Sequence, residues 1–95
     1  MKKVKYEEIL GKKVIDKKAR LLGKVNGVEV DAKAMKITYF YLDVDKDAVN
    51  DLGLKKPMMG SVKAVVPTEM VDAMSDSIIL NGTISELKNI IRATS

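Results

Sequence analysis

The 95-residue chain contains no cysteine and no histidine. Disulfides, Cys/His zinc sites, thiol nucleophiles and triads with an imidazole base are therefore excluded. Lysine and carboxylate chemistry stay formally open. Aromatics are scarce, three Tyr and one Phe. No apolar run approaches the roughly 20 residues that span a bilayer. The opening MKKVKYEEILGKKV begins on lysines, as a secretory leader does, but Glu7, Glu8, Lys12 and Lys13 interrupt the apolar stretch and leave no h-region. A cytoplasmic chain without direct membrane insertion is expected.

What is present is ordinary for a globular chain: 46% hydrophobic and 32% charged residues, enough for a single core and one domain over residues 1–95. The net charge is +4 and unevenly spread. Residues 1–24 hold nine Lys/Arg against three acids, whereas the remainder holds eight against ten. A basic patch of Lys12, Lys13, Lys17, Lys18, Arg20 and Lys24 suits phosphate or an acidic protein face. A solvated lysine-rich surface is the plainer reading.

The stretch from Gly11 to Asp31 reads as a short strand (Lys12 to Ile15), a polar turn, and a longer strand from Leu22 to Asp31. Gly11 and Gly23 stand where the chain must bend or admit another backbone. Val25 is out of phase with Val28 and Val30, and Asn26-Gly27 between them is the natural place for a bulge. Before this hairpin, Tyr6 to Leu10 reads as one helical turn, with Tyr6, Ile9 and Leu10 available for packing.

A third strand follows from Met35 to Val44. Its Phe40, Leu42 and Val44 are expected inward, while Ile37, Tyr39, Tyr41 and Asp43 share the other face. Ala48, Val49 and Leu52 suggest a brief helix ended by Gly53. Lys55, Lys56, Met58 and Met59 lead to an apolar loop tip. Ser61 to Val66 is a strand stopped by Pro67, and Thr68 to Met70 is a tight turn. Strands at Val71 to Met74 and Ser77 to Leu80 follow, with Asn81-Gly82 closing the β part. Thr83 and Glu86 form a capping box for a final helix over about residues 84–92, whose apolar face is Ile84, Leu87, Ile90 and Ile91.

These residues resemble the PRC-barrel domain family. Its opening appears as Gly11-Lys-Lys-Val14-Ile15-Asp16, then Leu22-Gly23-Lys24-Val25, then Val28-Glu29-Val30-Asp31. Its later hallmark appears as Val65-Val66-Pro67 and Ile78-Ile79-Leu80. The similarity runs over residues 8–82. The resemblance implies an all-β fold, a small, mostly antiparallel barrel of about six strands. It is similar to the domain in the H subunit of photosynthetic reaction centres and to the C-terminal half of a bacterial ribosome maturation factor. It is closest to free-standing archaeal versions, some of them cell-division adaptors. The family implies no shared catalytic residue.

Asp43, Asp45, Asp47 and Asp51 invite a calcium reading. The EF-hand glycine position is Ala48 and the bidentate Glu position is Leu54, so the motif fails at both. No metal, cofactor or catalytic group is expected, and the chain reads as non-enzymatic. The expected partner is a protein, docked through Tyr39, Tyr41, Lys55, Lys56, Met58 and Met59. Self-association as a homodimer is open, because small barrels leave strand edges. Ribosome or RNA maturation is the alternative, resting on the basic front.

Overall fold

The computed structural model describes residues 5–55 and 61–94. Helix α1 (Tyr6–Ile9) leads into β1 (Lys13–Ile15), β2 (Leu21–Asp31) and β3 (Lys36–Val44). Helix α2 (Lys46–Asp51) precedes β4 (Lys63–Pro67), a 3-10 turn (Thr68–Met70), β5 (Val71–Met74) and β6 (Ser77–Leu80). Helix α3 (Ile84–Leu87) and β7 (Arg92–Ala93) complete the chain. Among the described residues the strands join one seven-stranded sheet in the order β5-β6-β1-β2-β3-β4-β7. Every pairing is antiparallel except β1 with β6. Among the described residues the outer strands β5 and β7 do not pair with each other, so the sheet is not a closed ring.

Two features of the opening hairpin follow from residue type. Gly23 faces Val44 in the β2–β3 register, and a Cβ there would overlap the Asp43 carbonyl oxygen. Only hydrogen fits. At Asn26 the register slips, with Val25 opposite Leu42 and Gly27 opposite Tyr41. One extra residue in β2 is the expected bulge, and it lets both Val25 and the partly buried Val28 reach the core.

The core gathers Val14, Leu22, Val25, Phe40, Leu42, Val44, Ala64, Val66, Ile78 and Leu80 from one side of the sheet. Ile9 from α1, Ala48 and Val49 from α2, and Ile84 and Leu87 from α3 complete it. Each Val, Leu, Ile or Phe side chain among them contributes about 1.5–3 kcal/mol by leaving water. Asp45 caps α2 by accepting the Asp47 N–H, and Gly53 follows at φ +70°. Of the residues expected to pack from α1, only Ile9 does; Tyr6 and Leu10 are exposed.

Three expectations need correction. The final helix does not run through residues 84–92. It ends at Leu87, whose carbonyl accepts the N–H groups of both Ile90 and Ile91. The chain then turns, and Arg92 and Ala93 pair with Val65 and Ala64. This pairing satisfies the Lys63–Val65 part of the β4 edge, which a longer helix would leave bare. Asn81-Gly82 therefore does not close the β part, and among the described residues a seventh short strand joins the six expected. Finally, Ile37 packs against the core instead of sharing an outer face with Tyr39. A second slip, with Glu29 opposite Tyr39 and Val30 opposite Ile37, leaves Thr38 unpaired and shifts the phase of β3.

Candidate functional site

Asp16 organises the end of the molecule where the opening turn meets α3. It is buried, and its carboxylate has three backbone partners. Oδ1 accepts the N–H groups of Lys18 and Arg20 at 2.9 and 2.8 Å, and Oδ2 accepts that of Ile84 at 2.9 Å. A buried carboxylate is tolerable when its lone pairs are occupied in this way. Beside it, Thr83 and Glu86 make the reciprocal capping box. The Thr83 backbone N–H, then the Thr83 side chain, and beyond them Lys17 and Lys18, hold the Glu86 carboxyl below its ordinary range. These residues build a scaffold.

The six basic candidates are divided among separate places. Lys12 reaches the Ser75 carbonyl, Lys17 and Lys18 face Glu86, and Arg20 is ion-paired with Asp51. Lys13 and Lys24 are register partners, continued across the sheet by Asp43 and Lys63. Asp43 is ion-paired with Lys63 and also accepts from Asn26 at 3.2 Å. A carboxylate thus sits in the middle of the basic row, which weakens its field for phosphate. Three of the four acids of the rejected calcium loop are likewise engaged, Asp45 in capping, Asp43 and Asp51 in ion pairs.

The outer side of β3 and β4 is different in kind. Tyr39 pairs in register with Pro67 and Tyr41 with Val65, and β7 extends this surface with Arg92 beside Val65. Tyr39 is 42% exposed, and Ile90, at the α3–β7 turn, is 38% exposed. Tyr41 sits beside the bare backbone of Gly27, where a Cβ would lie 3.5 Å from its ring. Its hydroxyl donates to Glu29 at 2.6 Å. That hydrogen bond, with partial desolvation and the Glu29 charge, pushes the Tyr41 hydroxyl above its ordinary pKa. Tyr41 is thereby fixed, and Tyr39 presents its ring to solvent.

These residues carry a glycine-centred β-hairpin, a strand stopped by Pro67 and a sheet with no catalytic cluster among the described residues. The PRC-barrel domain family matches residues 1–87. The chain belongs to that family. A search of curated proteins returns no match. PRC-barrel domains are often involved in protein interactions, and the family's motif residues Gly23 and Asp16 in this PRC-barrel chain act on architecture, as described above.

Of the expected docking residues, the structure places Tyr39 and Tyr41 on one outer surface and shows Lys55 exposed after α2. Lys55 is not among the residues that line the surface around Tyr39. Lys56, Met58 and Met59 lie outside the described residues. Val65, Pro67, Ile90 and Arg92 join the tyrosine surface instead. The pairing of Tyr39 with Pro67 cannot be read from either stretch alone, because register is a long-range property. Among the described residues of this PRC-barrel chain, no helix is long and apolar enough to cross a membrane.

Proposed function

We propose that this PRC-barrel chain is a non-enzymatic adaptor that docks a protein partner on the outer face of β3 and β4. One observation carries the reading: Tyr39 stands exposed beside Pro67, Val65 and Ile90 on a surface that no described element covers. An aromatic ring held on a strand loses little side-chain entropy on binding and offers apolar area with a polar tip. The finer assignment, an adaptor in archaeal cell division acting in the cytoplasm, rests on the family resemblance. The register pairing of Lys13 with Lys24 favours a second reading, contact with RNA or a ribosomal protein. Asp43 in the same row argues against it.

Affinity capture from nuclease-treated native lysate tests the proposal, comparing the unmodified chain with Tyr39→Ser and with Lys13→Ser/Lys24→Ser. The adaptor reading expects one protein partner that survives nuclease and is lost with Tyr39→Ser alone. Loss with the lysine variant, together with a steep salt dependence, supports the RNA reading instead.

A further inference from the structure

The ridge of Tyr39 and Pro67 separates two shallow grooves of opposite charge. One, of about 570 Å³, is lined by Glu29, Asp31 and Glu69 together with Val30 and Thr68. The other, of about 500 Å³, is lined by Val65, Asn89, Ile90 and Arg92. Tyr39 and Pro67 line both, so the grooves meet on the ridge.

The charge on each side is available to a ligand. Glu29 accepts the Tyr41 hydroxyl, and Asp31 accepts the turn N–H groups of Lys33 and Ala34. These donors are neutral and leave the carboxylate charges in place. Among the described residues, none of the three acids has a cation within ion-pair distance. Lys36 is the register partner of Asp31 but does not line the groove. Across the ridge, Arg92 is the charged lining residue, and no carboxylate lines that groove.

Resting on the docking reading above, we propose that this face binds an extended protein segment whose charge reverses along its length. Basic side chains lie in the Glu29–Asp31–Glu69 groove, an apolar side chain sits over Tyr39 and Pro67, and an acidic side chain meets Arg92. An extended segment suits the layout because it repeats every two residues, about 7 Å, on one face. Three carboxylates in the larger groove repel a phosphate backbone and exclude nucleic acid as the occupant.

The test uses the full chain and three dye-labelled peptides read by fluorescence anisotropy: KKTLPLTEE, the neutral QQTLPLTQQ and the acidic EETLPLTEE. The charge-split peptide should bind at least roughly fivefold tighter than the other two, an advantage that falls with added salt. Glu29→Gln/Glu69→Gln should remove most of the advantage, with Asp31 and Arg92 supplying what remains. Glu69→Gln alone, at an exposed residue with no side-chain hydrogen bond, should reduce the advantage and guards against misfolding of the double variant. Tyr39→Ser should weaken all three peptides. Equal affinities for the charge-split and neutral peptides, still sensitive to Tyr39→Ser, overturn the charge-reversed ligand while leaving docking at the ridge intact. Saturable binding by none of the peptides also overturns it, as does sedimentation showing a dimer that Tyr39→Ser dissociates.

Discussion

The carboxylate of Asp16 accepts the backbone N–H of Ile84 at 2.9 Å, joining residues 68 positions apart. Through its other oxygen the same side chain closes the turn between β1 and β2. One buried carboxylate therefore ties the opening hairpin to the start of α3, and through α3 to the β7 segment that borders the tyrosine face. Asp16→Ala leaves three N–H groups without this acceptor and should lower stability by about 3 kcal/mol. Asp16→Asn keeps one acceptor oxygen and should cost less. Urea unfolding followed by circular dichroism reads both, and equal stability of Asp16→Ala and the unmodified chain contradicts the account.

Gly23 and Gly27 lie in the same strand but have different roles. At Gly23 a methyl group would overlap the Asp43 carbonyl, which forces β2 and β3 apart. Gly23→Ala should cost about 3 kcal/mol or more. At Gly27 the nearest atom is the Tyr41 ring at ordinary contact distance, so Gly27→Ala should change stability by less than ~1 kcal/mol. Denaturation midpoints for the two variants should differ clearly, and similar midpoints would contradict the close-approach argument.

Much of this was legible in the sequence because local chemistry decided it. The valine phase change announced the bulge at Asn26, Thr83 and Glu86 announced a capping box, and Pro67 announced a strand end. The stretch after Leu87 was not legible. Ile84, Leu87, Ile90 and Ile91 keep helical spacing, yet the β4 edge recruits Arg92 and Ala93 as a strand. Tertiary hydrogen bonding overrode a short helix that has little stability of its own. The same limit applies to the site. Tyr39 and Tyr41 were visible as outward aromatics, but Pro67, Val65 and Ile90 join them only through register and a turn. Likewise no glycine or asparagine marks the slip at Thr38, so plain alternation puts Ile37 on the outer face while the structure packs it against the core.

The hydroxyl of Tyr41 should ionise above its ordinary value of 10.0, because Glu29 accepts its proton in a hydrogen bond and opposes a second negative charge. With the folded value raised, the contribution of this group to stability is complete below pH 10 and is lost as pH climbs through the folded value. Ultraviolet titration of the chain should show a late-ionising tyrosine. Glu29→Gln should bring it earlier, and an unchanged titration curve would count against the Tyr41–Glu29 link.

Glu86 has the opposite sign. Its carboxyl is held below the ordinary value of 4.5, chiefly by the Thr83 backbone N–H. The stability it adds is therefore full above pH 4.5 and disappears as pH falls through the lower folded value. Glu86→Gln keeps an acceptor for the Thr83 N–H but cannot ionise, so it should flatten the acid limb of the stability curve. Thermal unfolding between neutral and acidic pH checks this. A variant with the same acid slope as the unmodified chain would refute the assignment.

The central claim is that partners dock on the Tyr39 ridge and not on the lysine row. Site-specific photo-crosslinking tests it most directly, with benzophenone placed at position 39 in one preparation and at position 24 in another. After irradiation in native lysate, the account predicts a discrete protein adduct from position 39 that resists nuclease, and none from position 24. A nuclease-sensitive adduct from position 24, with position 39 unreacted, contradicts it.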